Sequence, residues 1–492
     1  MNMERGNDSS YSLWKLSLVL GCLLVAALVV ASCTSGNVST ASGMGSVSVK
    51  ISDPATCQAP NGPFSHVYVT ITDVQANMSS TAGPTDSTWV DLTPNLPPMQ
   101  IDLLGPVKDQ CFLATLGDSL QLQAGTYQQI RLMLAPNTAT VSGNMCGSAT
   151  NCVTLTSDKS VPPTPYPLLL SSEAQTGIKI PSGQIASGGF TIAAGKTQDL
   201  DIDFLTCMSI VQEGNGQYRL KPVLHAAEVG TTSVSLNGKV TDAAGNPVAG
   251  AMVAVEQPSG TDTNGHPIDR FLDAVTTGLD GTWVICPLVY GDTTKPYDVV
   301  VIGSSSTGIL FAPSIVTGVG IGDAVGTIKL YASASATTAA LSTATITGQV
   351  TSVNNSLAGV VIDAYLSVLE TVNSVDYTIL LPMTATQIGG PNALVTTSSS
   401  PQTPPCNPLS ADCINYSLQT QATGAYIGAW SAGGATLAQP NLLPVYMVDG
   451  NATVTGLTTT PDCSPSEKIS SAVTLAGSPL AGTANLAFTG CS

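Results

Sequence analysis

Charge is scarce in this chain. Asp, Glu, Lys and Arg make up 10% of its 492 residues, against about 25% in an ordinary soluble domain. The 15 basic residues are outnumbered by 32 acidic ones, for a formal net charge of −17. Nucleic acid is thereby excluded as a partner, because neutralising phosphates needs Lys and Arg. Docking on anionic lipid through a basic patch is excluded for the same reason. Histidine is nearly absent: His66, His225 and His266 lie far apart, so the chain spells out no histidine-rich metal motif. No C-x-x-C pair occurs among the 12 cysteines, which removes a thioredoxin-like redox site and a zinc ribbon. G-x-S-x-G and H-E-x-x-H are missing as well, so no nucleophile elbow or zincin helix is encoded. Aromatics reach 5%, leaving few ring platforms for sugars.

What is present is β material. Hydrophobic residues make up 43% of the chain, with 47 Gly and 32 Pro as punctuation. Apolar residues recur with period two, as half-buried strands require. Val47, Val49 and Ile51 alternate with Ser and Lys, and Val67, Val69 and Ile71 share one strand face. Ile130, Leu132 and Leu134 repeat the pattern, as do Leu200, Ile202 and Phe204. No stretch after Cys33 carries a long amphipathic helix. The expected fold is all-β: an N-terminal β-sandwich-like domain, then two smaller β-sandwich domains, after a signal peptide and tether.

Near the N-terminus, Leu16 to Val30 is an apolar run of 15 residues behind Arg5 and Lys15. That suits a signal peptide and falls short of the roughly 20 residues needed to span a bilayer. The run closes on Val30-Ala31-Ser32-Cys33, which resembles the lipobox of bacterial lipoprotein precursors. The resemblance implies that residues 1–32 are removed and that Cys33 is lipidated, anchoring the protein to the cell envelope. Thr34 follows in place of Asp, which points to the outer membrane. Residues 33–45 form a Ser/Thr/Gly-rich tether.

Strand motifs in order, GSVSVKISDP, VYVTITDVQ, WVDL, IDLL, LQAGTYQQIRLML, DLDIDF and YRLKPVL, resemble a bacterial lipoprotein domain of unknown function. It covers residues 46–230 and implies an architecture without a reaction. Two later segments resemble each other. Leu236-Asn237-Gly238-Lys239-Val240-Thr241 aligns with Ile346-Thr347-Gly348-Gln349-Val350-Thr351, and Gly281-Thr282-Trp283 with Gly424-Ala425-Tyr426. The first copy, residues 231–331, resembles the carboxypeptidase regulatory-like β-sandwich, with a Gly-Asn-Pro turn at 245–247. Such domains are non-catalytic spacers or binding modules. The second copy, 343–492, diverges and carries an insertion around 370–417. Tyr331 to Ser342 reads as the linker.

Candidate chemistry is thin. Asp199, Asp201 and Asp203 alternate on one strand face at roughly 6.7 Å spacing; the simplest reading is a solvated face, with a Ca²⁺ ladder as the alternative. Asp262, Asn264 and Asp269 have loop-like spacing without the closing Glu of a calcium loop. Gly195-Lys196-Thr197 lacks the earlier glycine of a phosphate loop, Phe190 standing in its place. Lys239 and Glu256 invite comparison with self-crosslinking adhesin domains, but Gly326 to Leu330 offers no Asn or Asp. Trp430 is the one tryptophan expected to be exposed.

Excluding Cys22 and Cys33 leaves ten cysteines, an even set suited to an oxidising compartment. Proximity pairs Cys146 with Cys152, Cys406 with Cys413, Cys463 with Cys491, and Cys57 with Cys111. Cys207 and Cys286 are then free and buried or joined across a domain boundary. The sequence describes a non-catalytic, lipid-anchored display or binding protein with no catalytic, cofactor or metal residues. Its expected partners are the membrane, through the lipid, and a polysaccharide or protein ligand. The alternatives are an extracytoplasmic hydrolase with an unrecognised site and a structural stalk.

Overall fold

The computed structural model describes residues 43–491 except 54–62, 84, 106–110, 171–176, 181–184, 186–188, 213–215, 222–223, 230–234, 289–290, 293, 334–336, 354–359, 383–391 and 455–461. The signal-like run, Cys33 and Cys57 lie outside the described residues. The chain is all-β; its helices, among the described residues, are single turns at Thr206–Ser209 and Ala339–Ser342.

Six strands frame the N-terminal unit: β1 (Met44–Ser52), β2 (Phe64–Asn77), β3 (Ala114–Gln123), β4 (Gln129–Leu134), β5 (Thr197–Phe204) and β6 (Leu224–Val229). One sheet runs β6-β5-β1-β3, with β1 and β5 parallel and Val49 opposite Leu200. A larger sheet is built on β2 and β4. The alternating apolar residues of both sheets meet in one core, where Val49, Ile51, Val69, Ile71, Leu132, Ile202 and Phe204 are buried.

The next unit holds β7 (Leu236–Asp242), β8 (Met252–Thr261), β9 (Pro267–Thr276), β10 (Thr282–Ile285), β11 (Tyr297–Ile302), β12 (Ser314–Val319) and β13 (Ala324–Ala332). The last holds β14 (Thr343–Val353), β15 (Ile362–Val372), β16 (Val375–Ile379), β17 (Asp412–Gln421), β18 (Tyr426–Ala429), β19 (Tyr446–Val454), β20 (Asp462–Ile469), β21 (Leu480–Thr483) and β22 (Leu486–Thr489). Their sheets correspond. β10-β7-β13 faces β12-β11-β8-β9 in the first, and β17-β14 with β21 and β22 faces β20-β19-β15-β16 in the second.

The repeated glycine has one physical role in both copies. Trp283 sits opposite Gly238, and a β-carbon on that glycine would lie 2.9 Å from the indole. Tyr416 sits opposite Gly348, and its hydroxyl donates to the Ala484 carbonyl at 2.6 Å. An aromatic lies over a bare backbone each time. The counterpart of Trp283 is therefore Tyr416 and not Tyr426, because β17 is the strand that pairs with β14. Residues 370–379 form a hairpin, the end of β15 joined to β16 by a turn at Asn373 and Ser374, and the extra chain lies at 380–411, inside the stretch expected, and at 422–445, beyond it.

The two repeats are not separate in their sheets. β9 pairs in parallel with β16 (Ile268 opposite Asp376), and β12 pairs in parallel with β18 (Ser314 opposite Tyr426). One sheet thus runs through both. Strand β8 is buried on both faces: Val253 and Val255 point into the first repeat's core, Met252 and Ala254 into the second's. Its continuous apolar run follows from two-sided burial, where one-sided burial would leave alternation.

Disulfides join Cys146 to Cys152, Cys406 to Cys413 and Cys463 to Cys491. Cys111 is bonded to Cys286, 175 residues away, and so not to Cys57. Nearness along the chain misled here. Cys111 enters β3 at the end of the N-terminal sheet, beside the point where the chain leaves β10. Lys221 of the N-terminal unit also donates to Asp363 of the last unit at 2.8 Å. Each unit is therefore tied to both others.

Candidate functional site

The N-terminal unit meets the first repeat across buried acids. Asp201 and Asp203 are 0% and 1% exposed, so they do not form the solvated ladder that their alternation suggested. Strand β5 is interior to its sheet, and its aspartate face is covered by the first repeat, whose Asp273 is equally buried. Asp199, nearer the strand's start, stays accessible and pairs with Lys50 at 2.9 Å. The Ser52 hydroxyl donates to Asp201 at 2.7 Å, whereas both Asp203 carboxylate oxygens lack a hydrogen-bond partner among the described residues. Burial pushes Asp201 up to about 7, against the opposing pull of Ser52 and Lys50. Burial raises Asp203 well above the usual carboxylate range, helped by Asp273, Asp201 and Asp53. At neutral pH burial therefore favours the protonated form of these seam acids.

Between the repeats the acids recur. Glu256, on β8, accepts from the Thr378 amide at 3.1 Å and lies by Asp269 and Asp298. Burial and the Asp298 carboxyl push Asp269 up to about 8. Glu256, considered above as a crosslinking acid, is thus committed to the seam. Asp262 separates from Asp269 and gathers instead with His266 and Asp376, the latter from the other repeat. Asn264 closes this loop by donating its amide to Asp262.

The remaining histidines have structural surroundings. His225 lies half-buried opposite Asp203 on the neighbouring strand, and loss of solvent around the ring lowers it to about 4, keeping it neutral. His66 Nδ1 lies 2.7 Å from Asp102 Oδ2, and its ring stacks on Tyr68. That pair supplies two parts of a hydrolytic triad, but no hydroxyl or thiol meets the other ring nitrogen among the described hydrogen bonds.

A groove of about 720 Å³ opens at the end of the first repeat. The turn at 245–247, the segment 303–311 and Pro382 line it. Gly245, at φ +90°, makes the tight reversal, and Asp242 accepts from Asn246 through backbone and side chain at 2.8 and 2.9 Å. These bonds hold Asp242 below the usual carboxylate range. The lining offers Ser304, Ser305 and Ser306 above the apolar Val248, Leu310 and Phe311, with no histidine, lysine or cysteine. With the Asp242 carboxylate at its edge, it can hold a polar ligand by hydrogen bonds.

Trp430 is not an exposed platform. Its amide donates to Thr317 and its indole to Ala324, laying it on the first repeat's core. Tyr426 stacks on Tyr331 with ring centroids 4.3 Å apart. Trp89 is likewise engaged, under the Arg131 guanidinium.

Residues 44–222 match a family described as a domain of unknown function, DUF4382. No curated protein matches the chain. Among solved structures, the shaft pilin SpaA of Lactobacillus rhamnosus GG is 10% identical, with 59% of this chain and 98% of the pilin covered at a TM-score of 0.17. The Bacillus anthracis TIE protein is 9% identical, with 91% of this chain and 50% of that one covered at a TM-score of 0.15. A streptococcal ancillary pilin is 7% identical, with 80% and 95% covered at 0.16. No helix among the described residues is long and apolar enough to cross a membrane. The four disulfides among the described residues suit an extracytoplasmic setting.

Proposed function

We propose that the chain is a lipid-anchored, non-catalytic protein of the bacterial cell envelope, in the outer membrane, that displays a polar ligand-binding surface. The observation that carries this reading is the tying of all three units to one another. Cys111–Cys286, the shared sheet and the Lys221–Asp363 pair leave the acids in seams rather than at an open reaction site. The repeats, whose glycines lie beneath Trp283 and Tyr416, are read as carboxypeptidase regulatory-like sandwiches. The lipobox at Cys33 supplies the anchor, and the serine-lined groove suits a polysaccharide or peptide chain.

The His66–Asp102 pair is the one feature that favours a hydrolase, so the test is aimed there. The purified protein is expected to turn over none of p-nitrophenyl esters, p-nitrophenyl glycosides or casein. Turnover that disappears in His66→Ala would overturn the non-enzymatic reading.

A further inference from the structure

The geometry points to a divalent transition-metal site of the Zn²⁺ type, formed by Asp262, His266 and Asp376 across the seam between the repeats. The first two belong to the turn between β8 and β9, and the third to β16. Parallel pairing of β9 with β16 places Asp376 opposite Ile268, two residues from His266. The side chains of Asp262 and Asp376 are fully buried, while His266 is 32% exposed. One donor atom from each residue lies within 4.8 Å of the other two.

Two observations mark this trio as a ligand set and not another acid seam. First, two of the donors have unused valence: His266 Nδ1 is buried without a hydrogen-bond partner among the described residues, and so is one Asp376 oxygen. The other Asp376 oxygen accepts from Thr371 at 2.6 Å. Second, the spacing suits a small tetrahedral ion. Ligand atoms about 2.0–2.1 Å from such a metal stand roughly 3.3–3.5 Å apart. His266 Nδ1 lies 3.4 Å from Asp262 Oδ2 and 3.9 Å from Asp376 Oδ1, the oxygen that also accepts from Thr371.

The donor types select the metal. Imidazole with carboxylates suits Zn²⁺ and its transition-metal neighbours. Ca²⁺ wants six to eight oxygens at longer distances, and this site has two carboxylates and a ring nitrogen. Three protein ligands leave a fourth position for water on the exposed side of His266. The backbone amides of Asn264 and His266 donate to Asp262 at 2.8 and 2.7 Å, orienting its carboxylate, as the groups behind metal ligands commonly do. Bound here, the ion would clamp the two repeats.

The test uses the full purified chain, stripped with EDTA and desalted, and titrated with Zn²⁺ by calorimetry. One ion per chain is expected, with a dissociation constant in the micromolar range or below. His266→Ala and Asp376→Asn should each weaken binding at least tenfold, whereas His66→Ala should leave it unchanged. Circular dichroism checks that each variant is folded, and Asp376→Asn carries the test if His266→Ala is not. Absence of saturable binding by the wild type would overturn the site, as would equal binding by folded variants.

Discussion

Raising the pH from 5 to 8 should lower the unfolding temperature of this protein by on the order of 10 °C. Burial pushes Asp201 up to about 7 and Glu370 up to about 8, and it raises Asp203 and Asp273 well above the carboxylate range. Below pH about 4 these acids hold their protons whether folded or unfolded, so their burial costs little. As pH climbs towards 8, the unfolded chain releases protons that the folded chain retains, and stability falls. At about 1.4 kcal/mol per unit over the two units from pH 5 to about 7, Asp201 alone accounts for roughly 3 kcal/mol of this loss. The opposite trend comes from Asp242, Asp280 and Asp292, held low by turn hydrogen bonds. Their contribution is present above pH about 4 and lost below it, and it is small because they are exposed. Stability should therefore peak near pH 4–5. Asp203→Asn, neutral and nearly isosteric, should raise the unfolding temperature at pH 8 and leave it almost unchanged at pH 4.5. Thermal unfolding followed by circular dichroism decides the matter; an unfolding temperature that rises from pH 5 to 8 would contradict the account.

Cys286→Ala should destabilise the chain more than removal of any of the other three observed disulfides. Cys111 and Cys286 are 175 residues apart. On the chain-entropy estimate, closing that loop contributes about 5 kcal/mol. The Cys463–Cys491 loop of 28 residues contributes about 3.6 kcal/mol, and the Cys146–Cys152 loop of 6 about 2.2 kcal/mol. The long bridge also joins the N-terminal unit to the first repeat, so its loss should split one calorimetric transition into two. Non-reducing peptide mapping should recover Cys111 with Cys286. Finding Cys111 bonded elsewhere, or a single unshifted transition in Cys286→Ala, would refute the linkage.

The local grammar of the fold was readable from the chain. Alternation at Val47–Ile51, Val67–Ile71 and Leu200–Phe204 identified strands and their inward faces, because period two follows from the pleat itself. It could not show what covers the opposite face. Asp201 and Asp203 share a side of β5, but their burial depends on a second unit docking there. The same limit explains Cys111, whose partner arrives from across a domain boundary. Tyr426 was aligned with Trp283 by local spacing, yet β18 leaves its own repeat to pair with β12 of the other. Only strand pairing identifies Tyr416 as the residue lying over Gly348. The ligand trio was half visible: Asp262 stood out in its turn, while Asp376 lies 110 residues beyond His266. Nothing local signals that meeting.

The central claim, a lipid-anchored envelope protein, is tested most directly at Cys33. Wild type and Cys33→Ser should be expressed in a Gram-negative host with radiolabelled palmitate, then fractionated. The account predicts a labelled wild-type chain in the outer-membrane fraction and an unlabelled Cys33→Ser chain absent from it. A wild-type chain that carries no label and fractionates as soluble protein would contradict it.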